Sequence, residues 1–236
     1  MLGHSLVRPA GAPSAPPSEA LVPSMTRQLI TRFRDRILAG TYPPGSPLRQ
    51  DTLASEFGIS KIPVREALVQ LQSEGLVDIF PNRGFQVRPL TTAELNEVFS
   101  LRLALEPAAV AQGAKLAQAE DHEAARRKFE ALNAALSAGQ FSLSGQLNRD
   151  FHLQLLVPRL QPVATDVLGR LHTLAQRYVQ AHLEPEGRVK RAGREHAALL
   201  KAWSAGRVRE VRGLLQSHVR STHEDLQRVV QARGGR

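Results

Sequence analysis

Three histidines in the second half of the chain are spaced so that they could act together. His152 follows Asn148 by one helical turn, in a stripe that continues through Leu155 and Leu156. His196 precedes Leu199, Leu200 and Trp203, and His218 shares a stripe with Val211, Leu214, Leu215 and Thr222. At helical spacing each imidazole points toward the interior that the helices enclose. Singly, such a histidine is a core residue satisfied by a neighbour. Three neutral imidazoles that converge offer nitrogen ligands to Zn²⁺, Ni²⁺ or Mn²⁺, and Asn148 adds a weaker oxygen. Spacing leaves both accounts open. Arg102 and Glu106 form an i, i+4 pair, which on a surface is worth roughly 0.3–0.5 kcal/mol. Arg102 is also in register with Leu95, Val98, Leu105 and Ala109, and an inward guanidinium needs an anion, which a carboxylate ligand would supply. His172, in a stripe with Leu168, Ala175 and Val179, is a candidate liner of the same pocket. His4, His122, His182 and His223 read as arm or surface residues.

These side chains need a helical scaffold. Thr91-x-x-Glu94 reads as a capping box that opens a helix, and Gly, Pro or acidic caps then separate six helices at about 92–118, 121–138, 142–157, 163–182, 188–205 and 207–231. One apolar stripe on each predicts an antiparallel bundle over residues 92–231, followed by a short tail at 232–236.

The first half reads differently. Residues 1–23 are rich in Pro, Ala, Ser and Gly, with too little apolar pattern to offset ordering entropy, and are expected to form a disordered arm. Met25, Leu29, Phe33 and Ile37 recur at four-residue steps and mark a helix that Gly40, Pro43 and Pro44 end. Residues 53–76 then read as two short helices about a tight turn at Gly58, with apolar contacts from Ala54, Phe57 and Ile59. Ser60 is placed to N-cap the second of these, and Pro63 is tolerated in its first turn. Val64, Leu68 and Leu71 face inward, leaving Lys61, Arg65 and Gln72 on other faces. Residues 76–80 and 85–87 flank Pro81-Asn82-Arg83-Gly84 as a β-hairpin wing. Residues 24–88 therefore predict a winged helix-turn-helix, joined to the bundle by residues 89–91. The fold class is mainly α. Arg49, Ser60, Lys61 and Arg65, with Asn82, Arg83 and Gly84 at the wing tip, are the candidate DNA contacts.

A formal charge of +9 over 236 residues favours a polyanionic partner. The absence of cysteine excludes disulfides, thiolate metal sites and cysteine nucleophiles. No apolar run reaches membrane-spanning length and no signal-peptide pattern opens the chain, so a cytoplasmic protein is expected.

The chain resembles the GntR family of bacterial transcription regulators, in the FadR-like branch with an FCD effector domain, over about residues 24–230. ILAGTYPPGSPLRQDTLASEFGISKIPVREALVQLQSEGLV resembles the DNA-binding half; VFSLRLALEPAAV, NRDFHLQL, REHAALLKAW and LLQSHVRST resemble successive FCD helices. The resemblance implies metal ligation by His152, His196 and His218, with Asn148 where Asp is often found. It departs at Ser60-Lys61-Ile62, where relatives commonly have Ser-Arg-Thr, so a bidentate guanidinium contact to guanine becomes a lysine point charge. The function expected is that of a homodimeric regulator reading an inverted-repeat operator on double-stranded DNA, modulated by a small carboxylate metabolite. A metal-dependent enzyme is the rival; it lacks a general base beside the histidines, because Asp150 lies on another helix face from His152. An architectural DNA binder without effector is the third reading.

Overall fold

The computed structural model describes residues 25–81, 83–156, 162–181 and 188–234. The expected arm, Asn82, His182 and the end of the tail lie outside them.

Helix α1 (Met25–Leu38) buries Leu29, Phe33 and Ile37, whereas Met25, expected on the same stripe, is 53% exposed at the first residue of the helix. Strand β1 (Pro47–Leu48) leads into α2 (Gln50–Phe57) and α3 (Lys61–Ser73). Gly58 makes the turn between these helices at φ 63°, ψ 37°, where a Cβ would be strained. Ser60 takes the N-cap position of α3 with extended backbone, but its hydroxyl makes no capping bond, contrary to the expected role. Strands β2 (Val77–Phe80) and β3 (Gly84–Val87) form the hairpin, with Ile79 opposite Phe85. The sheet order is β1-β3-β2, all antiparallel. The two-residue β1 carries too short a pattern to be read in advance. One apolar cluster joins α1, Val64, Leu68 and Leu71 of α3, and Val77, Phe85 and Val87 of the sheet.

A second cluster fills the bundle of α4 (Thr92–Leu116), α5 (Ala119–Ser137), α6 (Phe141–Leu156), α7 (Pro162–Ala181), α8 (Arg188–Ser204) and α9 (Val208–Gly234). The last helix runs beyond the expected end at 231. Helix α4 packs on α9, α7, α6 and α8, and so forms the spine. His122 and His223 are not plain surface residues. His122 meets Trp203 edge-on, and His223 stacks on Phe99 with Nε2 2.9 Å from Asn96 Oδ1. Leu105, expected inward beside Arg102, is exposed.

Gly113 marks a tight crossing in the bundle. The Trp203 indole N–H donates to the Leu155 carbonyl at 3.1 Å, and a Cβ on Gly113 would overlap that carbonyl oxygen. Gly113→Ala should therefore destabilise the chain by about 1–3 kcal/mol, through overpacking against backbone. Urea unfolding checks this; an unchanged or raised midpoint would contradict the crossing described.

Candidate functional site

The N-terminal half exposes the N-terminal turn of α3 next to the wing. Ser60, Lys61, Arg65, Arg49 and Arg83 are all solvent-exposed, and Gly84 begins β3 at φ 82°. Lys61 Nζ pairs with Asp51 Oδ1 of α2. Glu66 is turned toward α1, accepting from Thr26 Oγ1 at 2.9 Å. Arg65 makes no ion pair among the described residues, and its guanidinium stands one turn along from Lys61.

In the bundle, α6, α8 and α9 bring His152, His196 and His218 together. The Nε2 atoms of His152 and His196 are 3.2 Å apart, those of His196 and His218 are 3.3 Å apart, and all three rings are buried. Asn148 and Arg102 line the same small cavity of about 80 Å³, as does Arg191, which spacing did not single out. Val179, Leu132 and Leu136 close its apolar side.

The donor set fits a cation. Burial, then the neighbouring imidazole charges, push His152 and His196 well below their usual range, so both are neutral. His218 Nδ1 lies 2.7 Å from Glu195 Oε2; with a proton on Nδ1 donated to that carboxylate, His218 Nε2 presents a lone pair inward. A neutral imidazole carries one N–H, so mutual hydrogen bonds satisfy the three clustered nitrogens poorly, whereas a shared divalent ion would use every lone pair.

Behind the cluster stands Glu106, with no exposure at all. Its Oε2 accepts from Arg102 Nε at 2.8 Å, its Oε1 lies 3.1 Å from His172 Nε2 and 3.7 Å from His152 Nδ1. Burial alone would raise the Glu106 carboxyl; the charge of Arg102, with the facing His172 ring, overcomes it and holds the group well below the carboxylate range. Two expectations change here. Arg102 does point inward, but its anion is Glu106 rather than a ligand. His172 is not among the residues lining the cavity; it packs on His152 at 5.4 Å between ring centres and faces Glu106. Glu106 and Glu195 were not picked out as site residues from sequence, although each stood beside a chosen one, Glu106 a turn from Arg102 and Glu195 next to His196.

A further buried group ties the two halves together. Arg177 of α7 donates to Glu94 Oε2 at 3.1 Å and to the carbonyls of Arg88 and Pro89. The Tyr178 hydroxyl donates to Glu94 Oε2 at 2.6 Å, and also receives the Thr91 N–H at 3.2 Å. Thr91 Oγ1 does cap Glu94 N, at 3.1 Å, but the Glu94 carboxylate is drawn to α7 and does not return to the cap, so only half of the expected box forms.

The neutral histidines set a sign for pH. Below the ordinary histidine value of 6.5 the unfolded chain takes up protons that buried His152 and His196 refuse, so stability is fully present above that value and is lost as pH falls. Glu106 adds loss in the same direction below its ordinary 4.5. In chelator, the thermal midpoint should drop between about pH 7.5 and pH 5, and drop less in a His152→Gln, His196→Gln double variant. Equal drops in both proteins would contradict the neutral-imidazole assignment.

Comparison with known proteins agrees with this architecture. Residues 25–87 match the family described as bacterial regulatory proteins, gntR family, and residues 97–221 match the FCD domain. The uncharacterized HTH-type transcriptional regulator YdhC of Bacillus subtilis is 30% identical over 131 residues, 55% of this chain and 58% of that protein, less than two thirds of its length. The HTH-type transcriptional regulator McbR of Escherichia coli K12 is 28% identical over 63% of this chain and 67% of its own. Among solved structures, E. coli McbR/YncC superposes with a TM-score of 0.76 at 24% identity, over 87% of this chain and 98% of that one. A GntR regulator from Rhodococcus sp. RHA1 gives 0.75 at 19%, over 85% and 96%. No helix among the described residues is long and apolar enough to cross a membrane. With matches to both domains in order, the chain belongs to the gntR family of bacterial regulatory proteins in its FCD-containing form, a family of DNA-binding transcriptional regulators and not of enzymes.

Proposed function

We propose that this chain is a metabolite-responsive regulator in which residues 24–88 bind an inverted-repeat operator, residues 89–91 link, and residues 92–231 dimerise and hold a small carboxylate-bearing effector. The observation that carries the sensor reading is the buried meeting of His152, His196 and His218, ligand atoms all within 4.8 Å of one another, on a cavity that Arg102 and Asn148 also line. His152, His196 and His218 would hold a Zn²⁺, Ni²⁺ or Mn²⁺ ion through nitrogen, with Asn148 as an oxygen donor. Such an ion, when bound, supplies a positive charge and open positions for an anionic oxygen. Asn148 leaves that charge undiminished where a carboxylate would reduce it, and Glu195 fixes the His218 tautomer. Arg102 and Arg191 also line the cavity, paired there with Glu106 and with Glu195 and Asp225, so the undiminished charge of the ion is what favours a small anion.

Signal transfer in this reading uses α4 and α7, since each carries residues at both places. Helix α4 holds Glu94 at the joint and Glu106 at the site; α7 holds Arg177 and Tyr178 at the joint and His172 behind the site. An effector that binds two placements of the DNA-binding halves with different affinity shifts their population, and a coupling of about 1–3 kcal/mol changes operator occupancy roughly 5- to 150-fold.

Two outcomes test the assembly. Arg65→Ala should abolish selective operator binding, while Arg83→Ala on the wing should weaken binding evenly across sequences, in anisotropy titrations against selected and random duplexes. Equal loss on both duplexes for Arg65→Ala would contradict a base-reading role. For the dimer, Leu101 and Leu105 on α4 are each 43% exposed and one turn apart on an outward face. The Leu101→Glu, Leu105→Glu variant should sediment as a monomer at concentrations where the wild type is dimeric; an unchanged dimer would place the contact elsewhere.

A further inference from the structure

The recognition helix presents an aliphatic stripe on the side turned away from its core. Val64, Ala67, Leu68 and Leu71 close the buried face of α3 without help from Ile62 or Val69. Ile62, the second residue of the helix, is 70% exposed, and Val69, two turns on along the same face, is 44% exposed. Arg65 lies between them at helical spacing. The neighbouring charges are turned elsewhere, since Lys61 pairs with Asp51 of α2 and Glu66 receives the Thr26 hydroxyl. Outward in the first two turns the Arg65 guanidinium, unpaired among the described residues, therefore stands beside the Ile62 alkyl group, with Val69 continuing the stripe farther along.

Base edges in the major groove are mostly hydrogen-bonding atoms, and thymine alone among the four bases offers a methyl group there. An isoleucine is stiff at χ1 and loses little rotamer freedom when it docks. Polar atoms of the other bases would lose water against it without gaining a partner. The N-terminal residues of a recognition helix are those that meet base edges. We infer that Ile62 is a specificity-determining residue, packing on the C5-methyl of a thymine next to the base that Arg65 meets. The inference rests on the reading of α3 as the recognition helix.

The test uses the full chain and the duplex that wild-type protein recovers from a randomised pool. Each thymine of a half-site is replaced in turn by deoxyuridine, which removes only the methyl and keeps the base pair. One position per half-site should weaken wild-type binding about four-fold, the worth of one buried methyl. Ile62→Val should keep that sensitivity, and Ile62→Ala should lose it. If no deoxyuridine affects the wild type, or if Ile62→Ala stays equally sensitive at the same position, the inference is overturned. Arg65→Ala separates the two levels. If it loses selectivity while Ile62→Ala behaves as wild type, the recognition helix stands and Ile62 does not read thymine. If Arg65→Ala leaves selectivity intact, or if no duplex is enriched from the pool, the reading of α3 falls and the inference with it.

Discussion

The carboxylate of Glu106, sealed from water in the middle of the bundle, constrains every helix around it. A buried charge of this kind is tolerated only with partners, and it has one guanidinium and two imidazoles within 3.7 Å. Arg102 must therefore sit one turn before it on α4, His172 must come from α7 and His152 from α6. A pair of this type adds little net stability over an apolar core, yet removing one partner leaves an uncompensated charge and costs about 3–5 kcal/mol. Its effect is to fix how α4, α6 and α7 face one another. That arrangement aims His152 at His196 and His218.

Much of this was legible in the residue order. The tight turn at Gly58, the cap position at Ser60 and the hairpin about residues 81–84 rest on local backbone chemistry, and local chemistry is written in neighbouring residues. The bundle helices were likewise readable from apolar periodicity, as was the inward aim of His152, His196 and His218. Periodicity reports which face a side chain occupies and not what stands opposite. An i, i+4 Arg–Glu pair reads alike on a surface or in a core, so the burial of Glu106 was invisible and the anion for Arg102 was sought outside the chain. His172 was placed on the correct face and given the wrong neighbour for the same reason. Glu94 shows a local rule overridden from afar, since its carboxylate meets Tyr178 and Arg177, which lie far along the chain. The strand at Pro47–Leu48 exists only through its pairing with β3.

The joint at residues 88–94 gives the bundle a mechanical hold on the DNA-binding half. Arg177 grips the carbonyls of Arg88 and Pro89 and the Glu94 carboxylate at once, and Gly75, at the end of the recognition segment, packs against Leu174 of the same helix. A small displacement of α7 would be felt at the linker and at the site together. Spatial continuity does not by itself establish coupling; the physical requirement is that the two arrangements bind effector with unequal affinity.

All of this turns on whether three buried imidazoles facing one another are a ligand set or a polar patch of core. Isothermal titration of Zn²⁺, Ni²⁺ and Mn²⁺ into chelator-treated protein decides it, comparing the wild type with His196→Ala. The account predicts one ion per chain for at least one of these metals, with a loss of at least about 100-fold in the variant, since changes one shell further out already cost 10- to 100-fold. No binding by the wild type, or equal affinity in the two proteins, would contradict it.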